Sequence, residues 1–195
     1  MINLTNHMPR KRKYLTSDEV LKLLNASKIG KYASRDECLI KVCFTHGFRV
    51  SELSALTLSD INLADRIIHV NRLKNGFSTT HPLLEEEVGL LKKWLADRGY
   101  LKGADSEWLF LSQKGGPLSR QQLYNIFQKH GKNAGIPVLL TPHMLRHSCG
   151  FALADNGADT RLIQDYLGHK NIQHTVLYTA SNAARFRGVW EEKKR

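Results

Sequence analysis

The stretch that decides the fold is Pro142-His143-Met144-Leu145-Arg146-His147-Ser148-Cys149-Gly150-Phe151-Ala152-Leu153. Read at helical period, His143, Arg146, His147 and Gly150 fall at i, i+3, i+4 and i+7 and form one polar stripe. Leu145, Cys149, Ala152 and Leu153 form the opposite, apolar stripe. The spacing predicts a helix that buries Leu145 and presents His143 and Arg146 together. Pro142 suits the first helical turn, so His143 stands near the helix N-terminus, where phosphate binds readily. Taken alone, the stripe also reads as an exposed basic face. His143 and His147 have the spacing of a zinc pair, yet Met144 stands where the HExxH pattern needs glutamate.

Working outward, the same period recurs. Thr16-Ser17-Asp18-Glu19 reads as a helix start, with acidic groups at the positive dipole end, and Gly30 closes that segment. A second helix is predicted over 34–46, ended by Gly47, and a short one from Ser51 to Leu58. The period then changes to two. Arg66 to Arg72 reads as a strand, Asn75-Gly76 as a type I′ hairpin turn, and Phe77 to Pro82 as the returning strand. A helix follows over 84–98, and Glu107 to Ser112 reads as a short strand. Helices are then predicted from Ser119 to Asn133, Pro142 to Asn156, Asp159 or Thr160 to Gly168, and His174 to Trp190. The fold class is α+β, predominantly α-helical, with a small antiparallel sheet.

Composition narrows the function. Leu, Ile, Val and Phe supply 53 of 195 residues, enough for a core and too many for a disordered chain. No apolar run reaches membrane-spanning length, and Met1 to Tyr14 lacks the apolar stretch of a secretory signal, so a cytoplasmic location is expected. Three cysteines without a CxxC pair argue for buried thiols rather than disulfides or a cysteine zinc site. Lys and Arg number 29 against 18 Asp and Glu, a net charge of +11 that points toward a polyanion, usually nucleic acid. Arg10-Lys11-Arg12-Lys13 is the main basic run.

Other residues join the His143 stripe. Arg49 lies just past the glycine that ends the second helix, and Glu52, three residues on, can orient its guanidinium or form an ordinary surface pair with it. Lys74 sits at the predicted hairpin tip. His169 follows Gly168, as a site residue or a C-cap donor. Tyr178 lies nine residues further. Two arginines, two histidines, a lysine and a tyrosine suit one reaction. A tyrosine attacking a phosphodiester builds charge on the non-bridging oxygens, which forked guanidiniums stabilise. A phenol of pKa about 10 needs activation, and the departing 5′ oxygen needs a proton. No carboxylate cluster offers itself for two-metal nuclease chemistry.

With these residues in place the chain resembles the tyrosine recombinase (phage integrase) family. His143-x-x-Arg146-His147, Gly157, Ile163, Leu167-Gly168-His169, Thr175 and Tyr178 match its C-terminal signature. Gly47-Phe48-Arg49-Val50-Ser51-Glu52-Leu53 resembles its first-arginine box, and Lys74 falls at the hairpin-lysine position. Runs such as Arg72 to Leu83, Leu118 to Gln122, Asp159 to His169 and Tyr178 to Phe186 are similar to the short recombinases that invert fimbrial promoter switches.

The resemblance implies the tyrosine recombinase catalytic-core fold over residues 15–195; most of the family carries a separate N-terminal clamp domain, and in a departure shared with the short fimbrial members only a basic tail over 1–14 is expected here. It implies that Arg49, His143, Arg146 and His169 surround the scissile phosphate. Lys74 would protonate the leaving 5′ hydroxyl, and Tyr178 would form a 3′-phosphotyrosyl link without ATP, metal or other cofactor. Glu52 and His147 would support them. The implied partners are double-stranded DNA with inverted repeats, three further copies of the chain in a synaptic tetramer, and accessory DNA-bending proteins at the nucleoid. Arg10, Lys11, Arg12 and Lys13 are expected to contact phosphates. Arg120, Gln121 and Gln122, at a helix start, are expected to read bases or simply to form a polar surface. A DNA-binding regulator that has lost catalysis, a relaxing topoisomerase and a metalloprotein are the alternatives.

Overall fold

A computed structural model describes residues 12–72 and 78–180. The centre is α2 (Ala33–His46), whose Cys38, Leu39, Ile40, Val42 and Cys43 are inaccessible to solvent. It packs against α1 (Ser17–Ser27), α4 (Glu85–Arg98) and α6 (Pro142–Asp155). Thr16 and Glu19 close α1 with reciprocal hydrogen bonds, as the sequence signalled. Ser119 caps α5 (Arg120–Asn133) in the same way with Gln122. Asp159, not Thr160, caps α7 (Thr160–Leu167), accepting from Leu162 N at 2.8 Å. The last described element is α8 (Gln173–Ala180). The predicted continuation to Trp190 lies outside the described residues.

The sheet has three antiparallel strands in order β1 (Ile61–Asn62), β2 (Ile67–Val70) and β3 (Thr79–Pro82). Ile68 pairs with His81 and Val70 with Thr79. Ile68 and Val70 point inward and His69 outward, the alternation a one-sided sheet requires. The predicted turn at Asn75-Gly76 lies outside the described residues.

Two sequence expectations are corrected. The short helix is α3 (Val50–Ser54) and stops before Leu58, because Thr57 and Asp60 cap a separate 3₁₀ turn over Leu58–Asp60. Glu107 to Ser112 does not form a strand. Its backbone makes two isolated bridges, Thr57 to Trp108 and Leu111 to Pro117, with different partners. Side chains take its carbonyls instead of a partner strand: Arg98 that of Trp108, Trp94 Nε1 that of Leu109 and Arg35 that of Leu111. The apolar run Leu109-Phe110-Leu111 is buried all the same.

A buried polar cluster joins α2 to α5. Asp36 accepts from Arg35 Nε and Nη2 at 2.9 and 2.8 Å and lies 2.9 Å from His130 Nε2, while Arg35 Nη1 donates to Leu111 O. Removing one member strands a buried charge. Asp36→Ala is therefore expected to cost about 3–5 kcal/mol in urea unfolding, against about 1 kcal/mol for loss of the Ser119 cap in Ser119→Ala. Equal midpoints for the two variants would show that the cluster adds nothing beyond a surface interaction.

Candidate active site

Two helices end in left-handed glycines that face each other. Gly47 closes α2 at φ 59° and Gly168 closes α7 at φ 65°, a conformation that favours glycine. Space demands glycine as well. A Cβ on Gly47 would lie 2.5 Å from Leu167 Cδ2, and one on Gly168 would lie 2.9 Å from Arg72 Cγ. The last carbonyls of each helix carry the negative end of its dipole and lack helical partners. Two guanidiniums fill that role.

Arg146 donates from Nη1 to Gly47 O at 2.5 Å and from Nη2 to Leu167 O at 2.6 Å. It is 2% exposed, so the stripe predicted on α6 is not a solvated basic face. Burial, together with Arg72 and Arg49, brings its pKa down to about 9, and it stays charged at neutral pH. Two carbonyl bonds leave three of its five N–H groups for a ligand.

Arg49 is the N-cap of α3. Its Nη1 donates to Glu52 Oε1 at 2.6 Å, and its backbone N–H to Glu52 Oε2 at 2.9 Å. Glu52 is no surface partner: its side chain is fully buried, while that of Arg49 is 30% exposed. Burial would raise the Glu52 carboxyl, but Arg72 and Arg49 outweigh it and hold it below the usual range. Arg49 is thus a cation anchored from below with its outer face toward solvent.

Tyr178 lies on α8 and is 1% exposed. Its hydroxyl shares a 2.9 Å hydrogen bond with His147 Nδ1. Its ring stacks on His169 at 6.4 Å and 20° and meets the edge of Phe151 at 5.1 Å. The ring rests on Gly150, where a Cβ would approach Cε2 and Cζ to 2.6 Å. Burial pushes the phenol up to about 12, against the pull of Arg146. His169 Nδ1 bonds Thr175 Oγ1 at 2.9 Å, so its side chain does not cap α7. Burial, then Arg146 and Arg49, lowers His169 to about 3. Burial, then His143 and Arg146, lowers His147 to about 4. His143 is exposed in the first turn of α6, its ring 4.4 Å from that of His147, and is lowered by burial of part of the ring and by Arg146 and Arg49. All three imidazoles are neutral at pH 7.

The structure therefore gathers Arg49, Glu52, His143, Arg146, His147, His169 and Tyr178. Lys74, Arg10 and Lys11 lie outside the described residues. Arg12 pairs with Glu19 at 2.5 Å, and Lys13 is exposed and adds its charge to the field on His143 and His147. Arg120, Gln121 and Gln122 are exposed, but Gln122 Oε1 accepts from Ser119 N and Gln121 Nε2 donates to Asn125. Among the described residues no group of three His, Cys, Asp or Glu side chains is arranged to hold a metal, and no helix is long and apolar enough to cross a membrane.

Sequence reasoning missed Arg72, whose side chain is fully buried beside Glu52. The signal was present in the strand alternation, since Ile68, Val70 and Arg72 share the inward face. It also missed the duty of Gly150 as the floor beneath Tyr178.

Residues 13–185 match the model of the phage integrase family. The chain is 58% identical to Type 1 fimbriae regulatory protein FimB of Escherichia coli K12 over 185 residues, covering 95% of this chain and 92% of that protein. It is 52% identical to Type 1 fimbriae regulatory protein FimE of the same strain, covering 93% and 92%. Its backbone matches XerH site-specific recombinase bound to palindromic difH substrate, in a post-cleavage complex, with TM-score 0.76 and 27% identity, over 92% of this chain and 53% of that one. Extent of match, identity and backbone agree with the arginine–histidine–tyrosine pocket: this chain belongs to the phage integrase family of tyrosine recombinases.

Proposed function

We propose that the chain is a site-specific DNA recombinase that inverts a promoter element and so controls fimbrial gene expression. One observation carries the chemistry: the Tyr178 hydroxyl is hydrogen-bonded to a neutral His147 beside the buried Arg146. In this reading Tyr178 Oη attacks the scissile phosphorus, a 3′-phosphotyrosyl bond forms, and the bond to the 5′ oxygen breaks. His147 Nδ1 accepts the phenolic proton, and Lys74 gives a proton to the departing 5′ oxygen. Arg49 and Arg146 hold the non-bridging oxygens, with His143 and His169 as further hydrogen-bond partners. The link conserves the bond, so a partner strand's 5′ hydroxyl reverses the step with neither ATP nor metal. Similarity to FimB and FimE, both named type 1 fimbriae regulatory proteins, supports the promoter-switch reading.

Residues 1–14 are read as a DNA-contacting tail and 15–195 as the catalytic domain. The chain acts on DNA in the cytoplasm, at the nucleoid, with accessory bending proteins shaping the sites. At +11, affinity falls steeply with salt as phosphates release counterions. A synaptic tetramer is supported by a cavity of about 810 Å³ between α6, α7 and α8, lined by Ala154, Ala158 and Ile172. Leu162, Ile172 and Val176 stand exposed nearby. The apolar residues Phe186, Val189 and Trp190 of a neighbouring copy would fill it. Truncation after Arg185 should abolish cooperative pairing of two sites in gel-shift titrations; intact pairing would refute the exchange.

The decisive test is a nicked suicide half-site from the inverted repeats, incubated with chelator. The wild type should give a detergent-resistant adduct and Tyr178→Phe none. Specific binding without any adduct would favour the silent-regulator alternative. Gly150→Ala should lower adduct yield about tenfold or more with half-site affinity unchanged, because the added methyl displaces the Tyr178 ring. Because His147 protonates only near pH 4, single-turnover cleavage at saturating DNA should stay level from pH 8 to 5. A fall centred near 6.5, the ordinary histidine value, would show that the pocket does not hold His147 neutral in the DNA complex. Substitutions at Arg120, Gln121 and Gln122 should weaken wild-type half-sites more than mutated ones; uniform losses would leave these residues as surface.

A further inference from the structure

Arg72 follows the β2 strand, its side chain is fully buried, and four of its guanidinium contacts are already made within the protein. Its acceptors come from three separate parts of the chain. Nη1 donates to Glu52 Oε2 at 2.9 Å and, more weakly, to Gly47 O at 3.4 Å. Nη2 donates to His46 O at 3.1 Å and Tyr166 O at 2.7 Å. Its Nε has no acceptor and lies under Gly168, 3.1 Å from where a Cβ would stand. The Phe48 ring covers it at 5.8 Å.

Two of these acceptors are shared. Glu52 also anchors Arg49, and Gly47 O also anchors Arg146. Arg72 therefore grips the support of each of the two other guanidiniums at once. It also neutralises Glu52 and the facing ends of α2 and α7, which would otherwise leave a carboxylate and two negative helix termini with one buried cation fewer. A planar fork can serve four acceptors in fixed directions, whereas an ammonium offers three rotatable donors on a flexible stem.

We propose that Arg72 is a positioning residue for phosphate recognition: by holding Glu52 and Gly47 O together it fixes the separation of Arg49 and Arg146 to suit the two non-bridging oxygens of one phosphate. The proposal rests on the reading of Arg49 and Arg146 as the phosphate's cationic ligands. It makes a distinction that folding alone does not. Replacing one non-bridging oxygen by methyl gives a neutral methylphosphonate, which needs less cationic stabilisation in the transition state.

The test compares adduct formation on suicide half-sites carrying either phosphate or methylphosphonate at the scissile position. Arg72→Lys should melt cooperatively and bind the half-site, yet lose about a hundredfold in cleavage of the phosphate substrate, as expected when an oxyanion ligand is misplaced. On the methylphosphonate its deficit relative to wild type should shrink at least tenfold. Arg49→Ala and Arg146→Ala are the gauges. If their deficits do not shrink, the reading of the two arginines as phosphate ligands fails. If theirs shrink and that of Arg72→Lys does not, the positioning proposal fails while that reading stands. Arg72→Gln, which keeps a planar donor group, is the second variant should Arg72→Lys not melt cooperatively. Loss of cooperative melting in both would overturn the proposal, because Arg72 would then serve the fold rather than the reaction.

Discussion

Everything in the pocket depends on two buried guanidiniums that tie together the ends of two helices. Burying a charge is costly unless it is paired and hydrogen-bonded. Here the compensation is mostly backbone: Arg146 takes Gly47 O and Leu167 O, and Arg72 takes His46 O and Tyr166 O as well as Glu52. The carbonyls are available because α2 and α7 terminate there, and they terminate in glycines whose left-handed φ and close neighbours would strain any larger residue. The same event that ends a helix therefore creates the ligand that holds an arginine. An arginine fixed by main-chain atoms has little freedom to follow a substrate, which suits a site that must meet one phosphate in one geometry.

That arrangement explains what could be read beforehand and what could not. The helices were legible where local chemistry sets their limits: the start at Thr16 to Glu19, the cap at Ser119, a cap at Asp159 or Thr160 that the structure gives to Asp159, and glycine after His46 and Leu167. The stripe on α6 was also legible, yet its meaning was not, because periodicity cannot tell a solvated face from one roofed by another helix. Gly150 is buried beneath Tyr178 of α8, and Arg146 is buried against the ends of α2 and α7. The family resemblance, not the period, separated those two readings. Arg72 was harder. Besides Glu52, its acceptors are carbonyls at positions 46, 47 and 166, and a carbonyl acceptor leaves no trace in residue identity. The segment from Glu107 to Ser112 failed for a related reason. Its composition fits a strand, but a strand needs a continuous partner edge, and here the partners change after a few residues and the side chains of Arg98, Trp94 and Arg35 take the carbonyls of Trp108, Leu109 and Leu111.

The electrostatics of the pocket bear on how Tyr178 would be activated in the proposed reaction. With its phenol pushed up to about 12, Tyr178 is almost wholly protonated at neutral pH, and forming free phenolate first would cost roughly 7 kcal/mol. A pre-ionised nucleophile is therefore a poor route in this arrangement, and loss of the proton has to accompany attack. A base is useful for that only if it is itself unprotonated. Burial and Arg146, one of the two proposed phosphate ligands, are among the influences that keep His147 neutral, down to about pH 4. A cationic pocket is usually hostile to a tyrosine's proton and to a histidine's alike. Here burial reverses the first effect and reinforces the second, so in the proposed reaction the proton would stay on the phenol until attack on phosphorus, with an unprotonated acceptor hydrogen-bonded beside it.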